Sequence, residues 1–331
     1  MLAGVLEYAS HAIVFSLLAA VTVELLLYAW RVQDPSVAIA FRLIVLAIPP
    51  VAPMLFAALS PGRDSEPFRQ GVTLLNLRNW LGPEPSIFQP VWAVLLAAMV
   101  STTILLAGLD VVGFLRRLRA CRACSHQLLA QPPSRLPEVV RRLDARGLRL
   151  PPVLVAPQPG PTAFTAGLLH PSILVSPAIV ELLDDEELEG VLAHEAAHVE
   201  RQDNWLGWLT FALRIASFYN PVVQFTYHRI GHDVERVCDA RAVVVTGKPL
   251  ALASALIKVF RSSRSAAAES SGLSIVLNKR AVALENRARR TMVEDRAERL
   301  VYPKPARSTS FPCLRLALAA ASVLGLAYMI V

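Results

Sequence analysis

The segment at residues 194–198 reads His-Glu-Ala-Ala-His and has the clearest chemical potential in the sequence. On a helix, His194 and His198 share one face, so both imidazoles can reach one metal ion. Glu195 lies beside them, placed to act as the general base on a water that attacks a peptide carbonyl. The pattern predicts a zinc peptidase site, and the alternative is a surface helix that carries two unrelated histidines.

A catalytic zinc site of this kind requires a third protein ligand and an open fourth position. Glu235 lies 37 residues after His198, on a later helix, and is the candidate for that ligand. Asp239 follows at i+4 on the same face, where it can accept a hydrogen bond from a ligand histidine. The alternative is that both are ordinary acids on a helix surface. The expected content is one zinc ion per chain.

Three further polar residues near these motifs are candidates for supporting roles. His228 and His232 precede Glu235 by seven and three residues. Either of them is a candidate to stabilise the oxyanion of a tetrahedral intermediate, and the alternative is a plain surface histidine. Asp203, at the end of the HExxH helix, either orients a ligand or caps a helix.

The elements that must position these residues alternate between strand-like and helix-like patterns, which predicts an α+β domain over residues 116–310. Asp184 followed by Glu187 is a capping-box pattern and predicts the start of the HExxH helix, which is expected to reach about residue 202. A small, polar stretch at 262–274 is expected to be a flexible loop. The other expected elements are strands at 153–156, 162–168 and 172–176 and helices at 204–220, 222–246 and 279–299.

Apolar residues make up 54% of the chain and the mean hydropathy is +0.46, whereas a soluble domain has about 45–50% apolar residues. They gather in four runs, which predicts an integral membrane α-helical protein with four spans. Three spans, at about 9–30, 37–59 and 91–113, are expected within 1–115, and a fourth within 311–331. The prolines inside the second run are expected to kink or break it.

Basic residues determine the expected orientation. Arg116, Arg117, Arg119 and Arg122 follow the third run and predict a cytosolic position for that end. Counting back places the N-terminus outside, an outer loop at 60–90, and the α+β domain in the cytosol. A net charge of +7 is compatible with nucleic-acid binding. The basic residues lie mostly beside apolar runs, however, which favours a contact with the lipid bilayer, so no direct nucleic-acid binding is expected.

Four segments of the chain resemble the BlaR/MecR family of antirepressor membrane metallopeptidases. They are Gly167–Pro177, Leu192–Asp203, Asn220-Pro221 and Glu235–Ala240. By motif the resemblance covers about residues 150–245, and by the order of the spans it covers the whole chain.

The resemblance implies a gluzincin site in a multi-pass protein of the bacterial cytoplasmic membrane. His194, His198 and Glu235 would hold zinc, and Glu195 would be the general base. It also implies a strand with a free edge that binds an extended peptide, for which a plain internal strand is the alternative. That strand would be formed by Thr162, Ala163, Phe164, Thr165, Ala166 and Gly167.

The resemblance further implies that the chain hydrolyses a cytosolic protein in signal transduction. The candidate substrates are a winged-helix repressor of the BlaI type and the chain itself. Self-cleavage is expected in 262–274 or 303–312, and the alternative is that both stretches are plain linkers. The alternatives are a quality-control protease like Ste24/HtpX and a non-catalytic membrane scaffold. Typical members continue into an extracellular penicillin-binding sensor, whereas this sequence ends at Val331, so β-lactam sensing by that route is not expected. Whether the chain forms a homo-oligomer is left open.

Overall fold

The computed structural model describes residues 2–60, scattered positions between 62 and 112, and residues 135–156, 160–269, 276–302 and 312–329. The arginine cluster and the linker at 303–310 lie outside these residues, the expected outer loop lies mostly outside them, and the third span is described only at scattered positions. The helices are α1 (Leu2–Ala29), α2 (Pro35–Leu59), α3 (Leu136–Ala145), α4 (Pro177–Leu182), α5 (Asp185–Glu200), α6 (Asp203–Ala216), α7 (Pro221–Thr246), α8 (Pro249–Glu269), α9 (Val276–Val301) and α10 (Pro312–Tyr328). The strands are β1 (Val153–Val155), β2 (Ala163–Ala166) and β3 (Ser172–Val175).

The chain forms two compact units. The span unit combines Met1–Phe114, Gly207–Val234 and Ala306–Val331, and the sheet unit combines Leu115–Leu206 and Glu235–Pro305. The segment Gly207–Val234 falls inside the expected α+β domain at 116–310, yet it groups with the apolar helices. Asn220 links this segment to α1, because its amide nitrogen donates to the hydroxyl of Ser16 at 2.8 Å and to the carbonyl of Ala12 at 3.1 Å.

Within the span unit, α1 and α2 contain stretches that by length and composition could cross a membrane, at His11–Ala29 and Pro35–Leu59. The helix α10 is apolar but shorter. The expected break in α2 is wrong, since the helix continues through its three prolines to Leu59. Packing supports it there, because Pro49, Ala52 and Phe56 are buried in the span-unit core.

A charge cluster joins three helices of the span unit. Arg42 of α2 is buried, and its Nε donates to Oε1 of Glu24 on α1 at 2.9 Å. Its Nη1 donates to the buried carboxylate of Asp233 on α7. Arg229 Nη2 lies 3.7 Å from the other oxygen of Glu24. Ionisable groups within apolar helices are costly unless paired, and here each carboxylate faces a guanidinium group.

The sheet unit is built on a three-stranded sheet with the order β1-β3-β2. β1 pairs parallel with β3, and β2 pairs antiparallel with β3 with Phe164 opposite Leu174. β2 therefore lies at an edge of the described sheet, as the resemblance implies, and one side of it pairs with no described strand. The core of this unit is formed by buried apolar residues that include Leu143, Ile173, Leu188, Leu192 and Leu252.

The HExxH helix begins as the sequence predicts. The Asp184 carboxylate accepts from the Glu187 backbone N–H at 2.9 Å, and the Glu187 carboxylate accepts from the Asp184 N–H at 3.0 Å. The capping box is thus confirmed, and α5 ends at Glu200, close to the expected residue 202. The strands and the long helix α7 also lie where the pattern places them.

A second local prediction is also wrong. The flexible loop expected at 262–274 is helical up to Glu269, because α8 continues to that residue. The physical reason is composition, since Ala266, Ala267 and Ala268 have the highest helix propensity of any residue type. Residues 270–274 lie outside the described part of the chain.

Candidate metal centre and active site

Two turns of α5 place both histidines of the HExxH segment on one face. The Nε2 atoms of His194 and His198 lie 3.3 Å apart, and the two rings meet edge to face. His194 is buried and His198 is partly buried. The capping box fixes the start of α5, and the buried leucines of α5 pack in the core of the sheet unit, so the two imidazoles project from a rigid element.

Glu235 of α7 completes a triangle of potential ligand atoms. One of its carboxylate oxygens lies 3.4 Å from Nε2 of His194, and the other lies 3.8 Å from Nε2 of His198. Ligands about 2.0–2.1 Å from a tetrahedral zinc ion lie about 3.4 Å from one another. The three side chains therefore fit a zinc ion by both spacing and donor type.

Each of these histidines also meets a carboxylate through its other nitrogen. Nδ1 of His194 lies 2.9 Å from Oδ1 of Asp239, and Nδ1 of His198 lies 3.0 Å from Oδ2 of Asp203. A carboxylate in this position fixes the tautomer of a ligand histidine and directs its free nitrogen at the metal. Of the two roles that the sequence leaves open for Asp203, the contact favours orientation of a ligand.

The electrostatics of this cluster favour a cation. Burial would lower the pKa of His194, but the hydrogen bonds with Asp239 and Glu235 outweigh it and raise the pKa to about 10. Burial would raise the pKa of Glu235 and Asp239, but His194 and Arg296 lower it to about 2 in both. The carboxylates thus stay ionised and draw a proton onto His194. A divalent metal ion would satisfy the same negative charge.

Arg296 of α9 is a component of the site that the sequence reading misses. Its Nε and Nη2 donate to the two oxygens of Asp239 at 2.7 and 2.6 Å, and its Nη1 lies 2.8 Å from Glu235 Oε2. The guanidinium group therefore holds both the third candidate ligand and the carboxylate behind His194. No sequence signal singles it out, since it is one of several arginines in a charged helix.

Glu195 is held in place by the edge strand. The hydroxyl of Thr165 on β2 donates to Oε2 of Glu195 at 2.9 Å and lies 3.1 Å from its backbone carbonyl. The carboxylate is therefore placed between the histidines and the strand that is the candidate for binding a peptide. Of the six residues expected in that strand, Ala163, Phe164, Thr165 and Ala166 form it, while Thr162 and Gly167 flank it.

Cys238 lies against the same network. Its Sγ donates to Oδ2 of Asp203 at 3.3 Å and lies 3.4 Å from Nδ1 of His198. These three residues form a second group that could hold a metal. Burial, followed by the charge of Asp203, raises the pKa of the thiol, so it remains a neutral donor. The triangle of His194, His198 and Glu235 is the better metal site.

The candidate site opens into a cavity of about 560 Å³. His194, Glu195, His198 and Glu235 form part of its wall, and β2, α8 and α9 form most of the rest. His228 and His232 lie in the part of α7 that belongs to the span unit, and their role at the oxyanion stays a prediction.

An HExxH helix, a third acid, an open cavity and apolar helices are together the features expected of a membrane peptidase with a metal centre. The family described as BlaR1 peptidase M56 matches residues 39–289, and the chain belongs to this family. The chain also matches proteins named "Protease HtpX homolog". That from Pelotomaculum thermopropionicum is 39% identical over 101 residues, and that from Gemmatimonas aurantiaca is 31% identical over 170 residues.

A third relative with the same name, from Tropheryma whipplei (strain Twist), is 26% identical over 197 residues. The three matches cover 29%, 41% and 48% of this chain and 36%, 60% and 68% of the relatives. The chain thus spans between about a third and two thirds of these relatives' lengths. The family and the relatives' names support a membrane protease, and the signalling role expected from the sequence goes beyond them.

Proposed function

We propose that this protein is a zinc-dependent endopeptidase, with one zinc ion per chain held by His194, His198 and Glu235. The observation that carries the proposal is the cluster of the two histidine Nε2 atoms and the Glu235 carboxylate, with contacts of 3.3 to 3.8 Å, next to Glu195. When bound, zinc supplies Lewis acidity that polarises the substrate carbonyl and lowers the pKa of water.

The protein's own groups have separate tasks in this proposal. Glu195, oriented by Thr165, takes a proton from the attacking water and returns it to the leaving amine. Asp239 and Asp203 hold the two histidines, and Arg296 holds Asp239 and Glu235. A substrate segment pairs with the free edge of β2 and so lies extended across the site.

Replacing Glu195 by Gln tests the proposal most directly. We expect proteolysis to fall by about 10²–10⁴-fold, the usual contribution of a general base, while the zinc content remains one per chain. Elemental analysis and cleavage of unfolded casein give the two readouts. Turnover near that of the wild type would contradict the role of Glu195, and absence of zinc from the wild type would favour a non-catalytic scaffold.

For the substrate, we propose a cytosolic protein cut in signal transduction, either a winged-helix repressor or the chain itself. The match to the BlaR1 peptidase family supports this proposal. The HtpX-like relatives support a second candidate, quality control of membrane proteins. Purified protein offered casein and a repressor of the BlaI type separates the two, because broad cleavage favours quality control and selective cleavage favours signalling.

We also propose that the protein is a multi-pass protein of the bacterial cytoplasmic membrane, with the N-terminus outside and the sheet unit in the cytosol. The arginines at 116–122 support this orientation. A cysteine introduced at Ser65 is expected to react with an impermeant thiol reagent on intact cells, and one at Ser270 is not. The native cysteines are replaced first, and the reverse labelling pattern would contradict the orientation.

A further inference from the structure

The hairpin segment, residues 207–229, contains most of α6, a short turn and the first part of α7. The α6 part of this segment has an inverted distribution of polarity. Its two buried side chains are the polar Thr210 and Arg214, whereas its exposed side chains are all apolar. The exposed side chains are those of Trp208, Leu209, Ala212, Ile215 and Ala216. A helix at a water-facing surface is expected to show the opposite arrangement.

The exposed side chains of α6 form one continuous face, because each lies three or four positions from the next one along the helix. Phe218 in the turn and Phe225 on α7 are also exposed, by 44% and 64%. The α7 part becomes polar further along, where His228 and Arg229 are exposed. The segment therefore has an apolar surface that ends at polar residues on α7.

The buried polar side chains of the segment find partners within it. The Nε of Arg214 donates to Oε1 of Gln224 on α7, and its guanidinium carbon lies 4.5 Å from the centre of the Tyr227 ring. The hydroxyl of Thr210 donates to the carbonyl of Gly207 at 3.1 Å. Polar groups inside a protein that is surrounded by hydrocarbon have to be satisfied in this way.

Asn220 satisfies the backbone at the turn between the two helices. Its Oδ1 accepts from the N–H of Val222 at 3.0 Å, and its own N–H donates to the carbonyl of Ser217 at 2.9 Å. Its amide nitrogen donates to Ala12 and Ser16 of α1. Irregular backbone occurs at membrane depth only where the protein itself supplies such partners.

The contacts of Asn220 with α1 give the depth of the turn. Ser16 lies in the candidate span His11–Ala29, 13 residues before Ala29, which corresponds to about 20 Å along the helix. The 14 residues of α6 give a similar length of about 21 Å. A helix of this length is too short to cross a hydrocarbon core of about 30 Å. The chain therefore has to return towards the side from which it enters.

We propose that the hairpin segment enters the lipid bilayer beside α1 and returns to the same side, with acyl chains against the exposed face of α6. Continuity with the candidate span favours lipid as the occupant, because Leu17, Val21 and Leu25 of α1 are also exposed. The exposed face of α6 is apolar throughout, and acyl chains require no hydrogen bonds from it. This position differs from the cytosolic one expected for residues 116–310, and it requires neither zinc nor Glu195.

The test uses the full-length protein in vesicles of phosphatidylethanolamine and phosphatidylglycerol, with the native cysteines replaced and one nitroxide spin label in each variant. Leu209→Cys, Ile215→Cys and Phe225→Cys place the label on the proposed lipid-facing surface. Val244→Cys is the matched control, since Val244 is an apolar residue of α7 that is 85% exposed but belongs to the sheet unit. Variants with the thermal unfolding of the unlabelled protein are compared.

Relaxation of each label is measured with oxygen, which concentrates among acyl chains, and with a water-soluble nickel chelate on both sides of the vesicles. We expect the chelate to relax the three hairpin labels at least about tenfold less than the label at Val244, because hydrocarbon excludes polar solutes. Oxygen should relax the hairpin labels more strongly than the control. The label at Ile215 should lie about 9 Å deeper than the label at Leu209, which is six residues earlier in α6.

Three results would overturn the proposal. Relaxation of the hairpin labels by the chelate to the same extent as at Val244 would place the segment in water. Protection of these labels from both oxygen and the chelate would show that protein covers the face, either a second copy of the chain or another polypeptide. Equal depth of the labels at Leu209 and Ile215 would show a helix lying flat at the membrane surface.

Discussion

Each unit of this protein holds an arginine between carboxylates, and the two clusters differ in their charge balance. In the span unit, the guanidinium groups of Arg42 and Arg229 face the carboxylates of Glu24 and Asp233, so positive and negative charges are equal. In the sheet unit, the candidate site contains four carboxylates and two guanidinium groups. The carboxylates are Glu195, Asp203, Glu235 and Asp239, and the guanidinium groups are Arg201 and Arg296.

With neutral histidines, the sheet-unit cluster thus carries two surplus negative charges, which equals the charge of one zinc ion. Hydrogen bonds with Asp239 and Glu235 raise the pKa of His194 to about 10 against the effect of burial, which agrees with a surplus of negative charge. The comparison shows two different roles. A charge-balanced cluster of arginines and carboxylates indicates a structural role, whereas a surplus of negative charge next to converging imidazoles indicates a cation site. The following predictions test this distinction, from the largest expected effect to the smallest.

Glu235→Ala should remove the metal from the sheet unit. The variant loses one of three ligands and one of the surplus charges. Loss of a residue that only holds a ligand in place costs about 10–100-fold in metal affinity. Loss of a ligand itself should cost more, and proteolysis should fall together with zinc binding. Elemental analysis after dialysis against a weak chelator measures this. Glu200→Ala is the control, because Glu200 is an exposed acid on α5. Full zinc retention in Glu235→Ala would remove Glu235 from the ligand set.

Arg42→Met should destabilise the span unit without removing zinc. It leaves the buried carboxylate of Asp233 without its guanidinium partner, and breaking a buried ion pair costs about 3–5 kcal/mol. Thermal unfolding in detergent, with zinc content measured on the same sample, gives the two readouts. The double variant Arg42→Met/Asp233→Asn should recover part of the loss. If the single variant unfolds like the wild type, the cluster in the span unit is not structural.

Arg296→Ala should weaken zinc binding by about 10–100-fold, since it releases Asp239 and Glu235 from a shared donor. Competition with a fluorescent zinc chelator measures the affinity. Arg299→Ala on the same helix is the matched control, because Arg299 pairs with Asp295 at the exposed surface. Unchanged affinity in Arg296→Ala would assign the guanidinium group a purely structural role.

Glu187→Gln should remove a small, pH-dependent part of stability from the sheet unit. Burial would raise the pKa of Glu187, but Lys258, Ser254 and the Asp184 N–H outweigh it and lower the pKa below the ordinary 4.5. A lowered pKa contributes stability above about pH 4.5 that is lost as the pH falls through the folded-state pKa. We expect a loss of about 1 kcal/mol near neutral pH that vanishes in acid.

Chemical unfolding of the wild type and Glu187→Gln from pH 7 to pH 3 measures this difference. Glu186→Gln is the matched control, because Glu186 is exposed and pairs with Lys248 at the surface. A loss that stays constant over the whole pH range would show that the charge of Glu187 does not contribute.

Much of the site can be predicted from the sequence because helix periodicity is local. The i, i+4 spacing places His194 with His198 and Glu235 with Asp239, and the structure brings all four together. The capping box at Asp184 and Glu187 is equally local, since its two hydrogen bonds join residues three apart. The prediction of a loop at 262–274 is wrong up to Glu269. There the helix propensity of the alanines outweighs the small, polar composition on which the prediction rested.

By itself, then, the sequence determined the helix that carries the histidines, the acids of α7 and the apolar runs, because each depends on residues close together in the chain. Only the tertiary structure decided that Arg296 holds Glu235 and Asp239 and that Thr165 holds Glu195. Arg296 lies 57 residues from Asp239, and Thr165 lies 30 residues from Glu195. Contacts over such separations are set by how helices and strands pack, and no spacing rule along the chain encodes them.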